Sequence, residues 1–251
     1  MTPSGGVHAV RAVLIDAYGT LVHLAPPAPR LRSLLRDRLG IEVGEREAGA
    51  AIAAEIAYYR RHLHEGRDLA NVDALRERCA RVLFGALESS GALATDGRQR
   101  ELDGGQMTAI LLDSLVFRLF GDVVPALDGL RRLGLRIVVA SNWDASLPAT
   151  LAHLGIGDAL DGVVSSAACG AAKPDPALFA AALRLAGMTP AEAVHVGDSV
   201  AEDVAGARAA GIMPLLLLRG DQPAPDGVVA VRSLTEVAPL LAGRGVNGSN
   251  Q

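Results

Sequence analysis

The pattern of hydrophobic and polar residues divides the chain into a short apolar run, a long helical stretch and an alternating region. The first run, VRAVLID, ends at Asp16 and is followed by the turn-forming pair Gly19-Thr20. It predicts a buried strand whose C-terminal end carries Asp16. Between Pro26 and Phe120 the apolar residues recur at helical spacing, and no segment there predicts a strand.

After position 121, helical and strand-like segments alternate. The strand-like segments are LRIVVAS, DGVVSS, AVHVG and PLLLL, and segments of helical spacing separate them. Strands that alternate with helices of this length are typical of a parallel sheet with helices on its faces. Because the first strand has no partner close to it in sequence, the simplest topology inserts the long helical stretch between that strand and the rest of the sheet.

The sequence therefore predicts an α/β fold with a Rossmann-like parallel sheet core and an inserted helical cap. The core comprises residues 1–21 and 121–243, and the cap comprises residues 22–120. Residues 244–251 are rich in Gly, Asn and Ser and have no periodicity, which predicts a flexible tail.

Composition narrows the possible partners. Half of the 251 residues are hydrophobic, only 3% are aromatic, and the net charge is −4. A chain with this charge lacks the basic surface typical of nucleic-acid binding. Its N-terminal segment also lacks an apolar run long enough for a signal peptide or a membrane span. We expect a cytoplasmic protein with a small-molecule substrate and no nucleic-acid or membrane partner. The oligomeric state cannot be predicted.

Polar residues follow the predicted strands at their carboxyl ends, which is where an open parallel sheet binds its ligands. They are Asp16, Ser141, Asn142, Lys173, Asp198 and Asp203. Carboxylates that converge there repel one another by about 4 kcal/mol per pair at 4 Å and an effective dielectric of 20, so we expect a cation among them. Carboxylate oxygens of Asp16, Asp198 and Asp203, together with the Tyr18 carbonyl, suit Mg²⁺. Taken alone, Asp198 and Asp203 would instead be N-terminal capping residues of the helix that GDSVAEDV opens.

Lys173 is the only lysine among 24 lysine and arginine residues. A surface position would accept arginine, which the chain uses everywhere else. An ammonium group is a compact donor that a planar guanidinium does not replace. We therefore predict that Lys173 is a functional residue.

Four short motifs, in this order, resemble those of the haloacid dehalogenase superfamily. They are DAYGTL at 16–21, SN at 141–142, KPDP at 173–176 and GDSVAED at 197–203. The resemblance covers nearly the whole chain outside the tail. It implies that Asp16 is a nucleophile that forms a covalent intermediate with the substrate, with Tyr18 and Lys173 as further catalytic residues. It also implies that the transferring group is bound by Ser141, Asn142 and the amides of Gly19 and Thr20.

The first motif departs from that of the superfamily's phosphatases, because Tyr18 stands where they usually have a second aspartate, the general acid and base. Tyrosine at this position resembles the metal-free 2-haloacid dehalogenases, whose halide leaving group needs no proton. Those dehalogenases, however, generally lack an acidic fourth motif such as Gly197-Asp198, and they tend to have tyrosine where this chain has Phe179.

Arginines of the cap are candidates for holding the substrate, as dehalogenases use an arginine early in the cap. Arg60 is assigned this role, with Arg46 and Arg61 as other possibilities; the alternative is that the YYRRHLH segment is an amphipathic helix with a solvated basic face. His195, inside an apolar strand, is expected to be a core residue.

The function predicted first is a Mg²⁺-dependent phosphatase that acts on a small phosphorylated metabolite. The alternatives are a metal-free 2-haloacid dehalogenase and a non-enzymatic phosphoacceptor or degenerate member of the superfamily.

Overall fold

The computed structural model describes residues 9–93 and 102–245. The chain divides into two compact units. The first, which we call the sheet unit, includes residues 9–23, 119–143 and 147–245. The second, the helical unit, includes residues 24–93, 102–118 and 144–146. No described helix combines the length and the apolar character needed to cross a membrane.

The strands among the described residues are short. In chain order they are β1 (Ala12–Ile15), β2 (Val22–Leu24), β3 (Phe117–Leu119), β4 (Arg136–Ser141), β5 (Gly162–Ser165), β6 (Ala193–Gly197), β7 (Met213–Leu217) and β8 (Val229–Val231). The α-helices are α1 (Pro27–Leu39), α2 (Glu45–His62), α3 (Leu69–Ser89), α4 (Gly104–Ser114), α5 (Val123–Arg132), α6 (Leu147–His153), α7 (Ser166–Cys169), α8 (Pro176–Ala186), α9 (Ala205–Ala209) and α10 (Val237–Gly245).

The sheet unit is built on a six-stranded parallel sheet of order β5-β4-β1-β6-β7-β8. β1 lies between β4 and β6, with Leu14 opposite Val138 on one side and His195 on the other. Every residue of β1 is buried, as expected for a parallel strand covered on both faces. Because the strands are parallel, the residues that follow β1, β4 and β6 emerge at one edge of the sheet.

Helix α8 shows how the sequence sets the helix limits in the sheet unit. Asp175 caps its start, accepting a hydrogen bond from the Ala177 amide at 2.9 Å, and Pro176 occupies the first turn. The helix ends at Gly187, whose φ of 67° is a left-handed conformation that glycine adopts readily. The buried face of α8, which includes Phe179, packs in a core cluster with residues of β1 and β4.

Helices α1 to α4 form the helical unit and share one apolar core. Asp68 caps α3 by accepting a hydrogen bond from the Asn71 amide at 2.9 Å, and Asp103 caps α4 in the same way. The buried positions of α3 include Val72, Leu75 and Leu83, which recur at helical spacing.

The helical unit also contains polar side chains that are buried or part-buried, which we call the helical-unit polar cluster: Glu55, Tyr59, Cys79 and Asp144. Tyr59 Oη donates to Asp144 Oδ2 at 2.9 Å. Asp144 Oδ1 accepts from the amide and hydroxyl of Ser146 at 2.8 and 2.6 Å. Burial raises the pKa of Glu55 to about 7, although a hydrogen bond with Cys79 opposes the increase. Burial also raises the pKa of Tyr59, and the charge of Asp144 adds to the effect.

The structure confirms the predicted α/β fold and its parallel sheet. The expectation that no strand interrupts residues 26 to 120 is wrong, because β3 lies within that range and pairs with β2 in a two-stranded sheet. These strands have three residues each, too few to show an alternating pattern. β8 was not predicted either, and it is equally short.

Two limits of the units lie between residues 23 and 24 and between residues 118 and 119, within three residues of the predicted domain limits. Residues 144–146, predicted as part of the core, belong to the helical unit. The interpretation of the units as catalytic core and cap stays a prediction. In the predicted tail, α10 extends to Gly245, and residues 246–251 lie outside the described residues.

Candidate active site

Asp16 directly follows β1, at the carboxyl edge of the sheet. Its side chain is buried, and its Oδ1 atom accepts hydrogen bonds from Ser141 Oγ at 2.9 Å and from Lys173 Nζ. Ser141 ends β4, the neighbour of β1, which is why the two side chains meet. Burial raises the pKa of Asp16; the charge of Lys173 opposes this increase, and the charge of Asp203 adds to it.

Lys173 joins two of the predicted site carboxylates. Its Nζ donates to Asp16 Oδ1 and, at 2.6 Å, to Asp203 Oδ1, and 1% of its side chain is exposed. Burial alone would lower the pKa of Lys173, but the charges of the two aspartates outweigh it and raise the pKa to about 12. The lysine is therefore protonated at neutral pH, as a residue that offsets negative charge must be.

Asn142 fixes the backbone of Lys173. Its Oδ1 accepts from the Lys173 amide at 2.7 Å, and its Nδ2 donates to the Lys173 carbonyl at 3.2 Å and to Glu202 Oε2 at 3.0 Å. The amide group of Asn142 is thus engaged on both sides. The structure places this predicted substrate-binding residue as a support for Lys173.

Asp203 binds Lys173, and both of its carboxylate oxygens accept hydrogen bonds. Oδ1 is also 2.8 Å from Nε2 of the buried His195, and Oδ2 accepts from the Ser199 amide at 3.0 Å. Burial alone would raise the pKa of Asp203, but the hydrogen bond from His195 and the charge of Lys173 outweigh it, so the pKa is lowered. Close approach of the carboxylate requires Gly197, since a Cβ there would lie 2.1 Å from Asp203 Cγ.

Asp198 is the solvent-exposed carboxylate of the group. Oxygens of Asp16, Asp198 and Asp203 lie within 4.8 Å of one another. Loss of hydration within the surrounding protein, together with the charges of the other two aspartates, raises the pKa of Asp198 to about 6. Gly19, with a φ of +85°, makes room for it, because a Cβ at this position would lie 2.1 Å from Asp198 Oδ2.

The turn after β1 contains the remaining predicted residues of the first motif. Thr20 is completely buried, and within the described part of the chain its hydroxyl has no hydrogen-bond partner. Tyr18 is 43% exposed as a residue, and its ring centroid lies 6.5 Å from that of Trp143. The catalytic role of Tyr18 and the substrate-binding roles of Gly19 and Thr20 stay predictions.

Arg60 and Phe179 are the remaining residues that the sequence singled out. Arg60 is exposed near the end of α2 in the helical unit, and its role in substrate binding stays a prediction. Phe179 is fully buried and meets the His195 ring edge-on, with centroids 4.9 Å apart. Phe179 therefore packs against the histidine that supports Asp203.

Comparison with known proteins decides the family. Residues 10–211 match the family of haloacid dehalogenase-like hydrolases. The chain belongs to this family. Haloacid dehalogenase-like hydrolase domain-containing protein 3 from Homo sapiens is 46% identical over 114 residues, which is 44% of this chain and 45% of that protein. The chain thus matches less than half the length of the curated relatives with that name.

A longer match joins this haloacid dehalogenase-like hydrolase to phosphoserine phosphatase from Thermus thermophilus, which is 30% identical over 230 residues, or 85% of this chain and 91% of that protein. Among solved structures, a 2-haloacid dehalogenase from Pseudomonas syringae superposes with a TM-score of 0.63 at 26% identity, covering 94% of this chain and 99% of that one. An HAD phosphatase from Thermococcus onnurineus superposes with a TM-score of 0.62 at 23% identity, covering 93% and 99%. The match to the Thermococcus onnurineus structure shows the shared fold.

Three residues of this family member that support the site were not predicted for that role. His195 was expected to be an ordinary core residue, Glu202 was not considered, and Arg219 binds the carbonyls of the turn after β1. For His195 a signal existed, because an ionisable residue in the apolar strand AVHVG requires a buried partner. For the contact of Arg219 with the turn none existed, because its acceptors there are main-chain oxygens.

Proposed function

We propose that the protein is a Mg²⁺-dependent phosphatase in which Asp16 is the nucleophile. The observation that carries this proposal is the group of Asp16, Asp198 and Asp203 oxygens within 4.8 Å of one another, with one lysine among them. A single ammonium group offsets one negative charge. The surplus of carboxylate charge therefore favours binding of a further cation.

The donor set fits Mg²⁺, which prefers oxygen ligands and keeps several waters. Asp16 and Asp198 would hold the ion, with the Tyr18 carbonyl as the third protein ligand. Both oxygens of Asp203 already accept hydrogen bonds from neighbouring donors, which favours Asp16 and Asp198 as the direct carboxylate ligands. When bound, Mg²⁺ would polarise the phosphoryl oxygens and neutralise the charge that develops on them.

The residues of the site suit a two-step displacement. The Asp16 carboxylate attacks phosphorus, the bond from phosphorus to the leaving oxygen breaks, and that oxygen departs with the electron pair. Water then hydrolyses the aspartyl phosphate and regenerates Asp16. Lys173 and Ser141 hold Oδ1 of the nucleophile, and Lys173 stays protonated throughout because of the charges around it.

Tyr18 sets the expected substrate preference. A tyrosine is a weak acid and a poor base at neutral pH, so it replaces the missing aspartate inefficiently. A positioned general acid contributes about 10²- to 10⁴-fold, and the loss matters least when the leaving group is already stable as an anion. The proposed substrate is therefore a small phosphate ester or anhydride with a good leaving group.

Relatives support both chemistries of the family. Phosphoserine phosphatase and glyceraldehyde 3-phosphate phosphatase favour phosphate ester hydrolysis, whereas the Pseudomonas syringae structure bears the name of a dehalogenase. The second candidate function, metal-free 2-haloacid dehalogenation, is favoured by Tyr18 at the position of the usual acid. Asp198 weighs against it, since displacement of halide needs no metal-binding carboxylate.

The experiment is a series of phosphomonoesters of graded leaving-group pKa, assayed with Mg²⁺ and with chelator, alongside 2-haloacids. We expect phosphate release that requires Mg²⁺ and rises steeply as the leaving-group pKa falls. A flat dependence would show that Tyr18 or another residue supplies the proton. Chelator-insensitive halide release without phosphate release would establish the dehalogenase, and an Asp198→Asn variant would then retain activity.

A further inference from the structure

Arg219, two residues after β7, forms what we call the Arg219 bridge. Its Nε donates to the Gly19 carbonyl at 3.2 Å, and its Nη2 donates to the Thr20 carbonyl at 2.5 Å. Nη1 and Nη2 also bind the two carboxylate oxygens of Asp122 at 3.2 and 3.1 Å. The guanidinium carbon lies 3.6 Å from the centre of the Phe120 ring. All these residues belong to the sheet unit.

The two carbonyls belong to the turn that carries the site. Gly19 provides the space for Asp198, as shown above, and Asp16 lies three residues before Gly19. The opposite side of the turn is held by its own amides: Gly19 donates to the Val22 carbonyl at 2.8 Å, and Leu21 donates to the Ala17 carbonyl at 2.8 Å. Arg219 therefore restrains two carbonyls that accept no hydrogen bond from the described amides of the turn itself.

Asp122, the carboxylate partner of Arg219, is itself held in place by hydrogen bonds. Its Oδ2 atom also accepts from Ser233 Oγ at 3.0 Å and from the Leu234 amide at 2.9 Å. Partial burial alone would raise the pKa of Asp122, but these hydrogen bonds and the one from Arg219 outweigh it and lower the pKa. The carboxylate thus stays ionised at neutral pH, and the guanidinium is held by contacts on both edges and on its face.

We propose that Arg219 is a positioning residue, which holds the Gly19–Thr20 turn so that Asp16 and Asp198 keep their relative positions. This inference rests on the proposed function insofar as the turn serves hydrolysis. Arginine suits the position because a planar fork reaches two carbonyls and a carboxylate at once. A lysine could satisfy one of the two carbonyls.

The test compares Arg219→Gln and Arg219→Lys with Arg208→Gln. Arg208 is the matched control, since it also lies in the sheet unit and donates to a main-chain oxygen, that of Gly227 at 2.7 Å, far in sequence from the first motif. We expect Arg219→Gln to lose about 10- to 100-fold in kcat with KM changed less than threefold, as for a misplaced catalytic group. Arg219→Lys should fall between, and Arg208→Gln should stay within twofold of the wild type.

Hydrogen exchange of the amides of residues 19–22 gives a readout that does not depend on the substrate. In Arg219→Gln these amides should exchange at least tenfold faster, while those of β4 and β6 keep their wild-type rates. Asp122→Asn, which weakens the ion pair with Arg219 but retains the arginine, should give a smaller change in the exchange of the same amides. It also provides a result if Arg219→Gln does not fold.

Two results would overturn the inference: wild-type exchange at residues 19–22 in both Arg219→Gln and Asp122→Asn, or an equal rise in exchange throughout the sheet unit, which would indicate general destabilisation. Failure of the proposed function looks different, because the wild type would then release no phosphate, while the exchange experiment would still report on the bridge. Addition of guanidinium to Arg219→Ala should restore part of kcat if the missing contacts are those of the side chain.

Discussion

Buried carboxyl groups occur in both units of this protein, and the two sets differ in whether a cationic side chain binds them. In the sheet unit, Asp16 and Asp203 share the buried ammonium group of Lys173. In the helical-unit polar cluster, Glu55 is equally buried but lies beside the thiol of Cys79. The pKa of Asp203 is lowered, whereas that of Glu55 is raised to about 7.

The difference shows that burial alone does not determine whether a carboxyl group is ionised and able to act as a nucleophile. Burial alone disfavours the charged form. The lysine and histidine around Asp203 reverse this effect, whereas at Asp16 the charge of Lys173 opposes the increase in pKa without reversing it. Nucleophilic attack needs a carboxylate, so a site of this kind must include the cation as part of its structure. The helical-unit polar cluster has no cationic residue among its four members and suits a role in packing.

The largest effect is expected from Asp16→Asn, which should lower turnover at least 10³-fold because an amide cannot replace the carboxylate nucleophile. Stability should not fall, since the change removes one of the mutually repelling charges. Phosphate release and urea unfolding provide the measurements. Glu55→Gln, the matched change in the other set, should retain activity within a few-fold; residual activity above a few per cent in Asp16→Asn would contradict the nucleophile assignment.

Lys173→Met should destabilise the protein by about 3 to 5 kcal/mol, the usual loss when one partner of a buried ion pair is removed. The reason is that two buried carboxylates lose their shared cation. Adding Asp16→Asn to this variant should recover part of the loss, and urea unfolding of the single and double variants measures the coupling. Lys173→Arg should also fail to support turnover, because the slot around Nζ is closed; wild-type rates in that variant would refute this explanation.

Glu55→Gln should stabilise the protein in a pH-dependent manner. The folded state holds the Glu55 proton up to a pKa of about 7, whereas the ordinary value is 4.5, so the folded state binds more protons between these limits. Wild-type stability therefore falls as the pH rises through this window, by about 3 kcal/mol in full. Glutamine does not titrate.

Urea unfolding at pH 4.5, 6 and 8 checks this prediction. The advantage of Glu55→Gln should be smallest at pH 4.5 and largest at pH 8. Glu45→Gln, a change on the exposed part of the same helix, is the control. An advantage that does not vary with pH would mean that Glu55 is ionised and paired in the folded protein.

The smallest effect is expected from Tyr59→Phe. The Tyr59 hydroxyl donates to Asp144 within the helical unit, and its loss should cost about 1 to 2 kcal/mol. Tyr58→Phe is matched, because the Tyr58 hydroxyl is also part-buried but accepts at 3.2 Å from Arg78, whose side chain is partly exposed, whereas Asp144 is buried. Less should therefore be lost. Equal unfolding free energies for the two variants would show that the burial of Asp144 adds nothing to the strength of its hydrogen bond.

Much of this arrangement could be predicted from the sequence, because parallel strands have near-continuous apolar runs and their ends share one edge. This pattern predicts that Asp16, Ser141 and Lys173 lie together at that edge of the sheet. The short strands β2, β3 and β8 could not be predicted in this way, since their residues have too little local pattern and depend on pairing with distant partners. The role of Asn142 as a support for Lys173 and that of Arg219 both involve main-chain atoms, which leave no trace in residue identity.

The wide turn from Val200 to Val204 has a consequence for how this chain tolerates insertions and deletions. It is a π-helical turn, in which the Ala205 amide donates to the Val200 carbonyl, so it holds one residue more than an α-helical turn. Removing one residue between Ser199 and Asp203 would let the segment rewind as an α-helix. Each residue of such a helix turns by about 100°, so the carboxylate that now meets Lys173 would be directed elsewhere. A one-residue gap here would therefore cost more than most substitutions.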